Sequence, residues 1–257
     1  ISCPYFTIVP YFRKRSNVYS GGRQFAWASM LDELSRELDI VIIVSAGNVS
    51  YPIIHEFSSR DDLLNKVRNQ LFSSDHALID PATTALGITV GSIARCSELE
   101  SVRPYQTNRI SVGKVDYPSA FTRIGKGVNK GIKPDFVDYG GNFALQQVPR
   151  GSSRWFAKDA KLVEPSLSHT TDKIFKGFCG TSFSAPHVTH MAARLEWTLE
   201  QQLQRKPPLR LNGTRPTGAT DSVAGKKRRR PIHLHVMVSE EEQALIRERM
   251  AQAGIRN

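Results

Sequence analysis

Three stretches of the chain repeat apolar residues at helical spacing, and two others are unbroken apolar runs. Trp27, Met30, Leu31, Leu34 and Leu38 mark an amphipathic helix within residues 25–38, and Leu63, Leu64, Val67 and Leu71 mark a second. Val188, Met191, Ala192, Leu195 and Leu199 recur at the offsets of a third stripe, which predicts a buried helix. Between them, residues 40–44 and 86–94 are continuous and rich in β-branched residues, the pattern of strands covered on both faces. Helix and strand therefore alternate, and the fold class that follows is α/β, a parallel sheet flanked by helices. Residues 1–24, with Pro4, Pro10, the cluster Arg13-Lys14-Arg15 and Gly21-Gly22, hold no period and predict a surface loop. Residues 95–117 and 142–176 carry no usable pattern and read as loops or insertions.

The pattern breaks between Gln201 and Gly225, where Pro207-Pro208, Asn212-Gly213, Pro216 and Gly218 signal a linker. The expected organisation is a domain over residues 1–200, a linker over 201–225 and a small basic β-α segment over 226–257. In that last segment Ile232, Leu234, Val236 and Val238 alternate as a strand. Ser239-Glu240-Glu241-Glu242 forms a capping box, Leu245, Ile246, Met250 and Ala253 line a helix, and Gly254 stops it.

At 257 residues and 40% hydrophobic content the chain can bury a real core. No apolar run approaches the roughly 18 residues of a membrane span, so no membrane partner is expected. The net charge of +11 is concentrated at the end, because residues 201–257 hold 12 Lys/Arg against 5 Asp/Glu. Cys3, Cys96 and Cys179 are odd in number and lack metal-ligand spacing, which argues against a disulfide framework and for a reducing cytoplasm. The chain opens Ile1-Ser2-Cys3-Pro4 with neither Met nor a signal-peptide pattern, and we read it as a piece of a longer protein.

The chemistry concentrates in Gly177-Phe178-Cys179-Gly180-Thr181-Ser182-Phe183-Ser184-Ala185-Pro186-His187-Val188, a small-residue turn entering the third helix. Gly-Thr-Ser before a helix is by itself an ordinary N-cap. It also places Ser182 among unpaired backbone N–H groups at the positive end of the helix dipole, where a negative charge beside its oxygen would be stabilised. Upstream, Ser45-Ala46-Gly47-Asn48 ends the first apolar run, at the carboxyl edge of a strand where α/β folds bind ligands, and the Asn48 amide can donate there.

These residues resemble the motifs of the subtilisin-like serine peptidases. Residues 180–188 are similar to the family's G-T-S-x-A-x-P-H-V string with Ser184 in place of Ala, and residues 45–48 to its S-A-G-N string. Asp80-Pro81-Ala82 with the following strand, the Pro118–Gly125 block and the Ile132–Gly141 block also resemble family blocks in the family order, with Tyr139 replacing a Pro. The likeness is to intracellular bacterial subtilases. It implies Ser182 as nucleophile, Asn48 and the Ser182 N–H as oxyanion-hole donors, residues Ser45, Ala46 and Gly47 as a substrate-binding strand, and a polypeptide as substrate. The family triad also needs a His and an Asp in the order Asp, His, Ser. No H-G-T, D-S-G or D-T-G string occurs, so the resemblance implies that both lie upstream of Ile1. His187 and His190 stand at i and i+3 but lack a third ligand, and neither a metal site nor a cofactor is identifiable.

Residues 226–257 resemble the start of ribbon-helix-helix plasmid-mobilisation proteins. This implies DNA as a partner, with Lys226, Lys227, Arg228, Arg229 and Arg230 meeting phosphates and His233, His235 and Met237 facing bases. A solvated basic tail of one strand and one helix is the alternative, and the two stay open. A catalytically inactive peptidase remnant joined to such a module is the alternative to an active peptidase.

Overall fold

The computed structural model describes residues 5–8, 18–49, 57–99, 109–146, 154–156, 159–168 and 174–205. Its strands are β1 (Tyr5–Ile8), β2 (Val41–Ser45), β3 (Ile88–Ile93), β4 (Arg109–Ser111), β5 (Gly125–Lys126), β6 (Ile132–Lys133), β7 (Phe136–Tyr139), β8 (Ala144–Gln146), β9 (Arg154–Phe156), β10 (Glu164–Leu167) and β11 (Phe175–Phe178). Its helices are α1 (Ala26–Leu38), α2 (Arg60–Leu71) and α3 (Thr181–Arg205).

A parallel sheet in the order β1-β2-β3-β7 forms the centre, with Thr7 opposite Ile43, Ile43 opposite Ile88, and Val90 opposite Phe136. The continuous apolar run of β2 is explained by burial on both faces. Ile42 and Val44 pack with Met30, Leu31 and Leu34 of α1, whereas Ile43, between them in sequence, packs with Val90, Ala185 and Val188 beneath α3. A third cluster joins Leu63 and Val67 of α2 to Val112, Ala120 and Leu145.

The sequence reading needs four corrections. Residues 5–8, expected in a surface loop, form β1, a four-residue strand that gains its place from pairing with β2. The regions 95–117 and 142–176, expected to be loops or insertions, hold antiparallel ribbons, with β4 of the first pairing β8, β8 pairing β9, and β10 against β11. These strands are three or four residues long, too short to show a period. Helix α3 continues to Arg205, so the first residues of the expected linker are helical. The α3 stripe is buried only in its first half. Ala185, Val188 and Ala193 lie in the core, but Met191, Leu195 and Leu199 are 52%, 61% and 53% exposed. The rest of the linker and the basic segment 226–257, with Arg228, Arg229, Arg230, His233 and His235, lie outside the described residues. No described helix is long and apolar enough to cross a membrane.

Two aspartates fasten α1. Its N-terminus has no local side-chain cap, and the carboxylate of Asp80 takes the Ala28 N–H at 2.9 Å and the Trp27 N–H at 3.3 Å. Burial raises the Asp80 pKa, and those two bonds offset part of the rise. Asp32, one face of the same helix, accepts from Gln24 Nε2, Thr84 Oγ1, Ala85 N and Leu86 N, and so ties α1 to the turn that feeds β3. Burial alone would raise its pKa, but the bonds from Thr84, Gln24, Ala85 and Leu86 together hold it below the usual carboxylate value.

Asp32→Ala should therefore destabilise the fold by about 2 kcal/mol, since it strands several donors of one charged acceptor. The shift of the urea midpoint measures it. Because the folded pKa is the lower one, this stability is full above pH 3.8 and lost as pH falls through the folded pKa, and Asp32→Ala should flatten that acid limb.

Candidate active site

The carboxyl end of β2 and the amino end of α3 meet through Thr181, which is fully buried. Its backbone N–H donates to Asn48 Oδ1 at 2.9 Å and its hydroxyl donates to the same oxygen at 3.2 Å, while Gly47 N donates to the Thr181 hydroxyl at 3.1 Å. With Oδ1 held by Thr181, the Asn48 amide is oriented and its Nδ2 hydrogens face away from Thr181. No described residue accepts them.

The direction of Nδ2 is shown by Gly180. A Cβ built at Gly180 would sit 3.1 Å from Asn48 Nδ2 and 3.1 Å from Ser182 Oγ, so the amide nitrogen and the hydroxyl flank one gap and lie within about 6 Å of each other. Glycine keeps that gap open. The helix start adds a second donor. Thr181 N–H is taken by Asn48 and Phe183 N–H by Gly180 O at 3.0 Å, which leaves the Ser182 N–H free at the positive end of the α3 dipole. Ser45, Ala46 and Gly47, singled out in the sequence as a substrate strand, are buried and run into this edge. Gly47 has φ +92°, a conformation that favours glycine.

No described histidine reaches Ser182. His187 Nδ1 pairs with Asp138 Oδ1 at 3.3 Å, His190 is exposed on the same helix, and His76 is buried elsewhere. His55 and His169 lie outside the described residues. No group of three or more His, Cys, Asp or Glu suited to a metal occurs among the described residues. Cys179, three positions before Ser182, is no competing nucleophile, because burial pushes its thiol up to about 12.

The remaining motif blocks have structural work. In the Lys133-Pro134-Asp135 turn, Lys133 Nζ reaches Asp135 Oδ2 at 2.6 Å and Gly87 O at 3.0 Å, and Asp135 also takes the Thr89 N–H at 2.7 Å, which pins β3 and β7 in register. Tyr139, standing where the motif has Pro, lies under the Arg95 guanidinium at 5.2 Å and donates to Asp116 at 2.9 Å. Gly140 lets three elements meet, since a Cβ there would come within 2.5 Å of both Ser184 Oγ and Ser92 Oγ and 2.6 Å of Gly180 O.

Residues missed by sequence reasoning are those that hold the site in place. Thr181 orients Asn48, Arg123 donates to Asn48 O, and His76 closes the turn below. Only Thr181, adjacent to Ser182, carried a local signal.

A hydroxyl and an amide donor face one gap at the carboxyl edge of a parallel α/β sheet, at the start of a helix, and this is an arrangement of α/β hydrolytic enzymes. The Subtilase family pattern matches residues 14–206. The chain belongs to the subtilase family. It is 32% identical over 193 residues to an uncharacterized protein, y4bN, of Sinorhizobium fredii (strain NBRC 101917 / NGR234), an overlap of 75% of this chain and 44% of that protein. Among solved structures it is similar to the prenylagaramide maturation protease PagA, at 16% identity and TM-score 0.35 over 79% of this chain and 47% of that one. It is also similar to a mutant of the protease domain of PatA, at 16% identity and TM-score 0.32 over 74% and 43%. The chain thus spans less than half the length of the relatives it matches.

Two outcomes are expected here. Ser184 Oγ is fully buried and has no hydrogen-bond partner among the described residues, so Ser184→Ala should raise stability by about 1 kcal/mol in thermal or urea unfolding. His76 Nε2 donates to Ala120 O at 3.1 Å and its Nδ1 lies 3.4 Å from Ser73 Oγ, contacts that a neutral ring protonated on Nε2 can make. Burial, with Arg123 adding to it and the Ala120 bond opposing, lowers its pKa below 6.5. The unfolded state then binds the proton more readily, so stability falls as pH drops from about 6.5 toward the folded value. His76→Gln should remove that slope in pH-dependent unfolding.

Proposed function

We propose that this chain is the later part of a subtilisin-like serine endopeptidase, in which Ser182 Oγ attacks the peptide carbonyl to form an acyl-enzyme. The carbonyl oxygen, as it becomes an oxyanion, is held by Asn48 Nδ2 and the Ser182 N–H, and the substrate strand lies beside Ser45, Ala46 and Gly47. One observation carries this reading: Asn48 Nδ2 and Ser182 Oγ flank the same Gly180 gap, with the amide oriented by Thr181. The donors are fixed before charge develops, and preorganised donors of this kind supply a large share of acyl-transfer catalysis.

The serine hydroxyl needs a base to take its proton and a carboxylate to orient that base. We place both upstream of Ile1 in the complete protein, as the family order Asp, His, Ser requires. A reducing cytoplasm suits Cys96 and Cys179, which form no disulfide among the described residues. No observation favours DNA as the partner of the basic segment 226–257.

The full-length protein should be labelled by a fluorophosphonate probe, and Ser182→Ala should abolish labelling. Asn48→Ala should lower kcat for a peptide by about 10²–10³-fold, a range taken over from the family, with KM little changed. No labelling of the full-length protein would leave the inactive-remnant reading standing. Residues 1–257 alone should not hydrolyse peptides measurably. Robust turnover by that chain, lost in Ser182→Ala, would show that the base lies within it.

A further inference from the structure

The carbonyl of Asn48 and the turn at Asp75–Ala77 share one guanidinium. Arg123 Nε donates to Asn48 O at 3.3 Å, and its Nη1 donates to Asp75 O at 2.8 Å and to Ala77 O at 2.6 Å. The main chain joins in, because Arg123 N donates to Gly47 O at 3.2 Å and Thr122 bridges Asn48 in antiparallel fashion. The stem packs as well. A Cβ on Gly47 would lie 3.1 Å from Arg123 Cδ and 3.1 Å from the Ile79 side chain.

No described carboxylate lies within ion-pair distance of this guanidinium. Its hydrogen bonds go to main-chain carbonyls drawn from two separate segments. An ammonium offers a point charge, whereas the planar fork of arginine can serve acceptors in different directions at once. The Gly47–Asn48 peptide is therefore gripped from two sides, by Thr181 on the side of α3 and by Arg123 on the side of the Asp75–Ala77 turn.

We propose that Arg123 is a positioning residue for the oxyanion donor: by gathering Asn48 O and the Asp75–Ala77 turn on one guanidinium, it fixes the main chain from which Asn48 Nδ2 reaches the Gly180 gap. The inference rests on the reading of Asn48 as an oxyanion donor. Arg123 touches neither Ser182 nor the gap and acts through Asn48.

The test is a double-mutant cycle in the full-length protein, read on a chromogenic peptide. Arg123→Met should lower kcat about ten- to a hundredfold with KM changed less than about threefold, since small displacements of a catalytic donor cost on that scale. Arg123→Lys keeps the charge without the fork and should fall between, and it carries the cycle if Arg123→Met does not fold. In an Asn48→Ala background the Arg123 change should cost less than about threefold further, because the group it positions is gone. A crystal structure of R123M gives a readout independent of turnover, with the Asn48 amide expected to shift off its Thr181 bonds. Equal cost of the Arg123 change in both backgrounds, or an unmoved Asn48 in that crystal structure, would overturn the inference. An Asn48→Ala protein with full kcat would instead sink the oxyanion reading, and the crystal structure would then decide alone whether Arg123 holds Asn48.

Discussion

The hydrogen bonds between Thr181 and the Gly47–Asn48 peptide join residues more than 130 positions apart, and the geometry of the site depends on them. Parallel strands deliver their carboxyl ends to one edge, but they do not by themselves aim a side chain. Thr181 does so by occupying both lone-pair directions of Asn48 Oδ1, one with its N–H and one with its hydroxyl. The amide can then present only its NH₂ to the gap. The same bond uses one of the free N–H groups of α3 and leaves the next, on Ser182, available. A single buried threonine thus sets two donors, and any movement of β2 against α3 would disturb both. The shared packing of Ile43, Val90, Ala185 and Val188 resists that movement.

What the sequence made legible follows from how far each signal reaches along the chain. β2 and β3 were readable because burial on both faces forces a continuous apolar run, and α1 and α2 because burial on one face leaves a period of 3.6. Ser182 and Asn48 were readable through motif resemblance, and the structure brings them to one gap. The structural roles of Asp32, Asp80, Arg123 and Asn142 were not. Each is a polar residue whose partners lie far along the chain. Asn142, fully buried, uses Oδ1 for the N–H groups of Gly113 and Phe143 and Nδ2 for the carbonyls of Cys96 and Gly113. Nothing beside Asn142 in the sequence announces those acceptors. The short ribbons β8 to β11 escaped for a different reason, since three or four residues cannot display an alternation that separates strand from loop.

The exposed half of α3 has a geometric cause. A helix of 25 residues runs about 37 Å at 1.5 Å per residue, whereas four strands spaced about 4.8 Å apart span about 14 Å between the outer axes. Ala185, Val188 and Ala193 lie in the core, and the exposures of Met191, Leu195 and Leu199 begin beyond the reach of the sheet's width. The stripe of Met191, Leu195 and Leu199 nevertheless keeps its helical period, and Trp197 adds to the exposed apolar area. The sequence predicted burial there because a period reports which face is apolar, not whether anything lies against it. β1 is the edge of the four-stranded sheet among the described residues, with β2 on its inner side. The helix that carries Ser182 is thus packed against the sheet over its first half and exposed over much of its second.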